Sequence, residues 1–240
     1  LRVLRKALNL LWDLLFPRKC LSCGRIYPLV LCPDCLRELK PYLGKTCSIC
    51  GAPLEGKGKL CPYCSTSPPP FTKAVFYGLY EGKIEEVILR FKFQDHPALA
   101  IPLGQLMAQA WQKQEIEADI VTSVPLSKRR LRLRGYNQAE LLAKTIAHGL
   151  GLPYQELLVR KRHVKEQSRL KREERLTNVL GAFAPIDGLD LGGKRVLLVD
   201  DVLTTGATTS ECSRALLKAG ASSVYVLTMA RGTGTQRMSS

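Results

Sequence analysis

The chain has 240 residues, 45% of them hydrophobic, and 36 Lys and Arg against 21 Asp and Glu give a formal charge of +15. This suits a soluble, folded chain of one large or two modest domains, and no apolar run is long enough to cross a bilayer. The cationic excess favours polyanionic partners, either phosphorylated small molecules or nucleic acid.

The first stretch, LRVLRKALNLLWDLLFP (1–17), sets basic residues before leucines, as a signal peptide does. Asn9 and Asp13 interrupt it, Pro17 closes it, and no small-residue cleavage site follows. It reads as a short amphipathic helix packed on its own protein, and the location expected is cytoplasmic.

Eight of the nine cysteines then fall within 64 residues as four C-x-x-C pairs: Cys20/Cys23, Cys32/Cys35, Cys47/Cys50 and Cys61/Cys64. CLSCG is followed by CPDC, and CSICG by CPYC, so one unit occurs twice. The repeat predicts two consecutive sites, residues 20–35 and 47–64, rather than interleaved ligands. Paired knuckles of soft thiolates suit tetrahedral Zn²⁺ ahead of an iron–sulfur cluster, and with no export signal a disulfide framework is disfavoured. Four thiolates per ion leave no open position, so both metals are expected to be structural. Two such sites lower the working charge to about +11. This module, residues 1–66, is expected to brace the next domain and contact partners. STSPPP (65–70) reads as a linker.

From residue 71 strand and helix patterns alternate. A strand or hairpin is expected at 73–82, helices at 83–93 and 97–117, and a strand at 118–126. A helix follows at 138–148, with Gly149 and Gly151 near its stop, and 153–162 holds a short strand. The remaining elements are a strong strand at 194–201, a helix at 207–218 and a last strand at 222–230. The fold class is therefore α/β, a mostly parallel sheet with helices on both faces, over residues 71–232. Residues 233–240 read as a flexible tail, and fraying is expected from RGTGTQRMSS (231–240) onward. Ligands of such sheets bind beyond the carboxyl ends of the strands, where loops 125–137, 160–178 and 200–208 should meet.

The strongest local signal is VLLVDDVLTTGATTSE (196–211). Four apolar residues form a buried strand, and Asp200 and Asp201 stand at its mouth with side chains on opposite sides. Thr204, Thr205, Gly206, Ala207 and Thr208 then lead into a helix, offering amides, hydroxyls and the positive end of a helix dipole. Acids that accept from sugar hydroxyls beside an anion cradle suit a ribose 5-phosphate.

VLLVDDVLTTGAT (196–208) resembles, at every position, the fingerprint of type I phosphoribosyltransferases, which bind 5-phosphoribosyl 1-diphosphate (PRPP) with Mg²⁺. The resemblance implies that Asp200 and Asp201 face the ribose hydroxyls and act as the catalytic pair, while Thr204, Thr205, Gly206, Ala207 and Thr208 hold the 5-phosphate. The whole chain resembles the ComF family, which joins a zinc module to a phosphoribosyltransferase-like domain. The similarity also covers WDLLFPRKCLSCG (12–24), FKF (91–93), SVPLSKRRLRLRGYNQAELLA (123–143) and KEQSRLKREERLTNVLGAF (165–183). It implies a role in DNA uptake and natural transformation.

By the same resemblance the loop 127–138 meets the diphosphate, with Lys128, Arg129, Arg130 and Arg134 as its cations; a solvated charged turn is the bland alternative. Asn137 is a helix cap or a ligand contact. Arg160, Arg162, Lys165, Arg169, Arg172 and Arg175 form a second basic segment, a flap over phosphates or a track for single-stranded DNA. His163 reads as incidental, and Gln167 and Asn178 match the family pattern. Tyr136 is the one aromatic among these basic residues, so tracking of a backbone is better supported than base stacking. No segment is assignable to an acceptor site, unless the zinc module and residues 71–95, with Lys92, serve. The expected function is therefore binding of PRPP or a related phosphorylated ribose, with single-stranded DNA handling and contacts to uptake or recombination proteins through the zinc module. The alternative is an active phosphoribosyltransferase that releases diphosphate to an unidentified acceptor. Cys212 reads as a small buried hydrophobe.

Overall fold

The computed structural model describes residues 17–161 and 181–232. Outside the described residues lie the helix expected at 1–16, the tail at 233–240, and, from the second basic segment, Arg162, His163, Lys165, Gln167, Arg169, Arg172, Arg175 and Asn178.

Two short helices, α1 (Pro33–Glu38) and α2 (Pro62–Thr66), belong to the cysteine module. Each starts on Pro directly after a cysteine, where a missing N–H costs nothing. The expected linker begins inside α2, and Phe71 beyond it is buried. There follow β1 (Lys73–Leu79), α3 (Gly82–Phe93), a 3₁₀ turn (Pro97–Leu99), α4 (Ala100–Gln112), β2 (Ile120–Ser123), α5 (Lys128–Arg134) and α6 (Gln138–Leu150). Then come β3 (Leu158–Arg160), β4 (Phe183–Pro185), β5 (Arg195–Leu203), α7 (Ala207–Lys218) and β6 (Ser223–Arg231). The main sheet has the order β1-β6-β5-β2 with every pairing parallel, and β3 and β4 form a separate antiparallel pair. This is a type I phosphoribosyltransferase-like α/β fold, as expected.

β5 is central because its sequence tolerates cover on both faces. Val196, Leu197, Leu198 and Val199 are all fully buried, and alternation sends them to two different cores. Burying each such side chain contributes about 1.5–3 kcal/mol. On one face, Leu197 and Val199 meet α3, α4 and α6. α3 presents Ile84, Val87, Ile88 and Phe91 at helical spacing, and α4 presents Leu103, Met107 and Trp111. On the other face, Val196 and Leu198 meet Cys212, Ala215 and Leu216 of α7 and the β3–β4 pair. Cys212 is a buried hydrophobe in that layer, as expected.

The cysteine module straddles the sheet. Its first unit, with Cys20, Cys32 and Cys35, joins the α3 side, and its second, with Cys47, Cys50, Cys61 and Cys64, joins the α7 side. Between them it covers the edge strand β1: Ala74 N–H donates to Ile49 O at 2.7 Å, and Tyr42 N–H to Tyr77 O at 2.8 Å. Gly78 permits this approach, since a Cβ there would lie 2.8 Å from Lys40 O and 2.3 Å from Ile84 Cδ1. Among the described residues, no helix is long and apolar enough to cross a membrane.

Candidate functional site

The cysteines assemble as two separate Cys₄ clusters, Cys20/Cys23/Cys32/Cys35 and Cys47/Cys50/Cys61/Cys64, so the ligands are consecutive and not interleaved. Within each, all four Sγ atoms lie within 4.8 Å of one another. Cys23 and Cys32 Sγ are 3.7 Å apart, and Cys50 and Cys61 Sγ 3.6 Å. A tetrahedron with Zn–S bonds of ~2.3 Å has S···S edges of about 3.8 Å, whereas a disulfide is ~2.0 Å, so the spacing fits zinc. Burial raises the Cys20 thiol, but the amides of Cys23, Cys32 and Ser22 outweigh it and bring it down to about 6. Cys47 is brought to about 6 in the same way by the amides of Cys50, Cys61 and Ile49. Both clusters are structural zinc sites, each closed by four protein ligands.

The second site lies at the carboxyl end of β5. The strand does not stop at the acids, as the sequence suggested, but runs on to Leu203, because Val202 and Leu203 stay in register with Ala230 and Arg231 of β6. Asp200 and Asp201 are therefore strand residues, and they have different neighbours. Asp201 Oδ1 accepts an ion pair from Lys92 Nζ of α3 at 2.8 Å, with both side chains largely buried at 14% and 17% exposure. Lys92, open in sequence as a surface or site residue, is thus part of the site, and one of the two expected ribose-facing carboxylates already has a counter-charge. Asp200 has no ion pair of its own among the described residues. Burial, and then the Asp201 charge, push its carboxyl up to about 7, although the Asp201 N–H donates to its Oδ1 at 2.9 Å.

Gly206, at φ 80°, opens α7 in the left-handed conformation that glycine favours and offers no side-chain cap. Thr205 Oγ1 accepts from Ala207 N–H at 3.4 Å, and Thr209 Oγ1 donates back to Gly206 O at 3.0 Å. Thr204 is exposed, Thr205, Gly206 and Thr208 are half-buried, and Ala207 is buried. The loop has two supports the sequence did not reveal. Arg231, read there as the start of a frayed tail, is 7% exposed; its Nη1 donates to Leu203 O at 2.7 Å and to Thr204 O. A cavity behind the loop is walled by Cys50, Cys61, Tyr63 and Phe71 on one side and Thr205 and Gly206 on the other. The second zinc unit therefore backs the expected phosphate loop.

The basic segment expected as a loop is the helix α5. Ser127 caps it, its Oγ accepting from Arg130 N–H, and Gly135 closes it at φ 76°. Helical spacing sorts its cations: Lys128, Arg129 and Arg132 are exposed, while Arg130 and Arg134, four residues apart, are half-buried towards the acids. Burial, and then the charges of Arg134, Arg160 and Arg129, hold the Arg130 guanidinium below its ordinary range, with Asp201 opposing them. Arg160, at the end of β3, thus belongs electrostatically to this cluster. Its guanidinium stacks 5.3 Å from the Phe183 ring, and its buried Nε has no hydrogen-bond partner. Arg134 Nη1 donates to Gln138 Oε1 at 3.0 Å, and Arg134 also counts among the charges that lower Asp200. Asn137 is a cap and a brace: its Oδ1 accepts from Ala139 N–H and its Nδ2 donates to Val124 O. Tyr136 is half-buried against Phe91, rings 5.7 Å apart, with its hydroxyl donating to Phe91 O.

Comparison with known proteins agrees with this arrangement. The description "Double zinc ribbon domain" matches residues 11–65, and "Phosphoribosyl transferase domain" matches residues 137–240. Competence protein F of Haemophilus influenzae is 32% identical over 210 residues, covering 84% of this chain and 90% of its own. Competence protein ComFC of Bacillus subtilis is 29% identical over 209 residues, covering 84% of each chain. The solved structure of the allosteric regulatory enzyme of purine biosynthesis is 25% identical, with a TM-score of 0.41, over 58% of this chain and 29% of its own. With two zinc-binding Cys₄ clusters ahead of a phosphoribosyltransferase-like sheet, and 32% identity to Competence protein F over 84% of its length, the chain belongs to the ComF family.

Proposed function

We propose that this protein binds PRPP, or a closely related phosphorylated ribose, at the carboxyl end of β5, and acts in the handling of incoming single-stranded DNA. The observation that carries the reading is the gathering of two opposite chemistries at one strand end. Asp200 and Asp201 supply acceptors for ribose hydroxyls, and the Thr204–Gly206 loop before α7 supplies donors for the 5-phosphate. Arg130, Arg134 and Arg160 bring like charges together, a setting that a bound anion would relieve, and planar guanidinium forks match a diphosphate. Asp200 and Asp201 would hold Mg²⁺ beside the diphosphate, where the ion would supply positive charge to the phosphate oxygens. The same arginines would stabilise a departing diphosphate, which supports the transferase as the second reading. The names of the relatives, competence and DNA utilization proteins, support the biological setting.

Thermal shift with PRPP and Mg²⁺ tests the pocket. Ligand at a hundredfold over Kd stabilises by about 2.7 kcal/mol, which is roughly 5–10 °C for a chain of this size. Asp200→Asn combined with Asp201→Asn should lose the shift without unfolding; an undiminished shift refutes the site. Diphosphate release across a panel of bases and amines separates transfer from binding alone. For DNA, the logarithm of affinity should fall with the logarithm of salt by about 0.7 per phosphate contacted.

A further inference from the structure

The three consecutive residues Phe91, Lys92 and Phe93 end α3, and each turns about a hundred degrees from the last. Phe91 is fully buried in the core, and Lys92 enters the site and pairs with Asp201. Phe93, next in sequence to Lys92, is left 66% exposed. The Arg134 guanidinium lies 4.9 Å from the Phe93 ring centroid, and the buried Gln138 amide holds Arg134 there. Gln138 itself, 1% exposed, keeps a buried Nε2 with no hydrogen-bond partner. An aromatic face and a guanidinium plane thus stand together where the basic cluster opens to water. Tyr136, the one aromatic that the sequence sets among the basic residues, is half-buried against Phe91. The ring that faces out comes from a different helix.

We infer that Phe93 and Arg134 form a stacking platform for a nucleobase at the entrance of the phosphate site. The charge around it selects the ligand. The positive potential of Arg134 and Arg130 favours an anionic ligand, and a base arriving on a phosphorylated sugar brings its phosphate to these cations while it covers the ring. The base belongs either to a small nucleotide or acceptor in the pocket or to a single strand passing its mouth. The platform rests on the proposed phosphate site for its neighbours but not for its own chemistry.

Two pairs of probes test this. The first compares adenosine 5′-monophosphate with ribose 5-phosphate, and the second a thymidine oligomer with an abasic oligomer of equal length. Within each pair the phosphates match and only the base differs. In at least one pair, the base should tighten binding roughly five- to hundredfold. Phe93→Ala should abolish that preference and Phe93→Tyr should keep it, while PRPP binding should change far less than the base preference, because Gln138 still holds Arg134. A preference in the small-molecule pair assigns the platform to an acceptor or nucleotide, and one in the oligomer pair assigns it to the strand. No base preference in the parent protein, or a preference indifferent to Phe93→Ala, overturns the inference even if PRPP binds. A Phe93-dependent preference in a protein that ignores PRPP keeps the platform and removes the pocket.

Discussion

Asp200→Asn isolates the central electrostatic feature of the site. The Asp200 carboxyl is raised from the ordinary 3.8 to about 7, first by burial and then by the Asp201 charge. A carboxyl raised on folding destabilises the native state once it ionises. The native protein holds a proton that the unfolded chain releases near 3.8, so stability falls as pH rises from there through about 7. A shift of about three units is a total penalty of roughly 4 kcal/mol, fully in force above the folded value. About half of it, ~2 kcal/mol, is incurred between roughly pH 5.5 and 8.5, the interval in which zinc thiolates can be kept loaded. Asparagine preserves the acceptor for the Asp201 N–H and cannot ionise. The variant should therefore gain on the parent by about 2 kcal/mol across this interval, equivalent to roughly 4–8 °C in Tm. The assay is urea unfolding at several pH values, with zinc constant and neither chelator nor Mg²⁺ present. Parallel pH profiles for variant and parent would refute the reasoning, because Asp200 would then be ionising as an ordinary solvated carboxylate. A stability gain accompanied by loss of ligand binding is the trade expected where charge is held in place for function.

Two further outcomes follow from the same geometry. Lys92→Met leaves the largely buried Asp201 without its counter-charge and should cost about 3 kcal/mol, with Asp201→Asn in the same chain restoring most of it; urea midpoints read this directly. Replacing Cys20, Cys23, Cys32 and Cys35 with serine should release one zinc per chain and leave the second bound, because the clusters lie on opposite sides of the sheet; a colorimetric zinc assay that finds both lost would show them interdependent.

The parts of this molecule that a linear reading captures are those governed by short-range pattern. The duplicated C-x-x-C units announce two closed metal sites, and the run Val196–Val199 announces a strand buried on both faces. What it misses depends on distant partners. The acids stay within β5 only because β6 pairs beyond them, through Val202↔Ala230 and Leu203↔Arg231. The same pairing buries Arg231 beneath the threonine loop. The Lys92–Asp201 pair joins α3 to β5; the sequence offers Lys92 as a residue that could reach the site, but not its partner. The helix α5 is a different case: Ser127 as an N-cap and Gly135 as a left-handed C-cap are visible in the sequence, but the density of arginines after a strand points to a diphosphate-binding loop. Recognising those caps would have separated Arg130 and Arg134 from the outward-facing Lys128 and Arg129.

The contacts from Ile49 and Tyr42 along β1 give the metal sites a consequence unrelated to catalysis. A parallel sheet whose outermost strand lies bare invites other chains to add to it. Here two metal-folded knuckles occupy that seam, one on either flank. Zinc starvation would thus expose an adhesive margin as well as loosen the support of the threonine loop, and metal supply would govern how long the protein stays dispersed in a crowded cell.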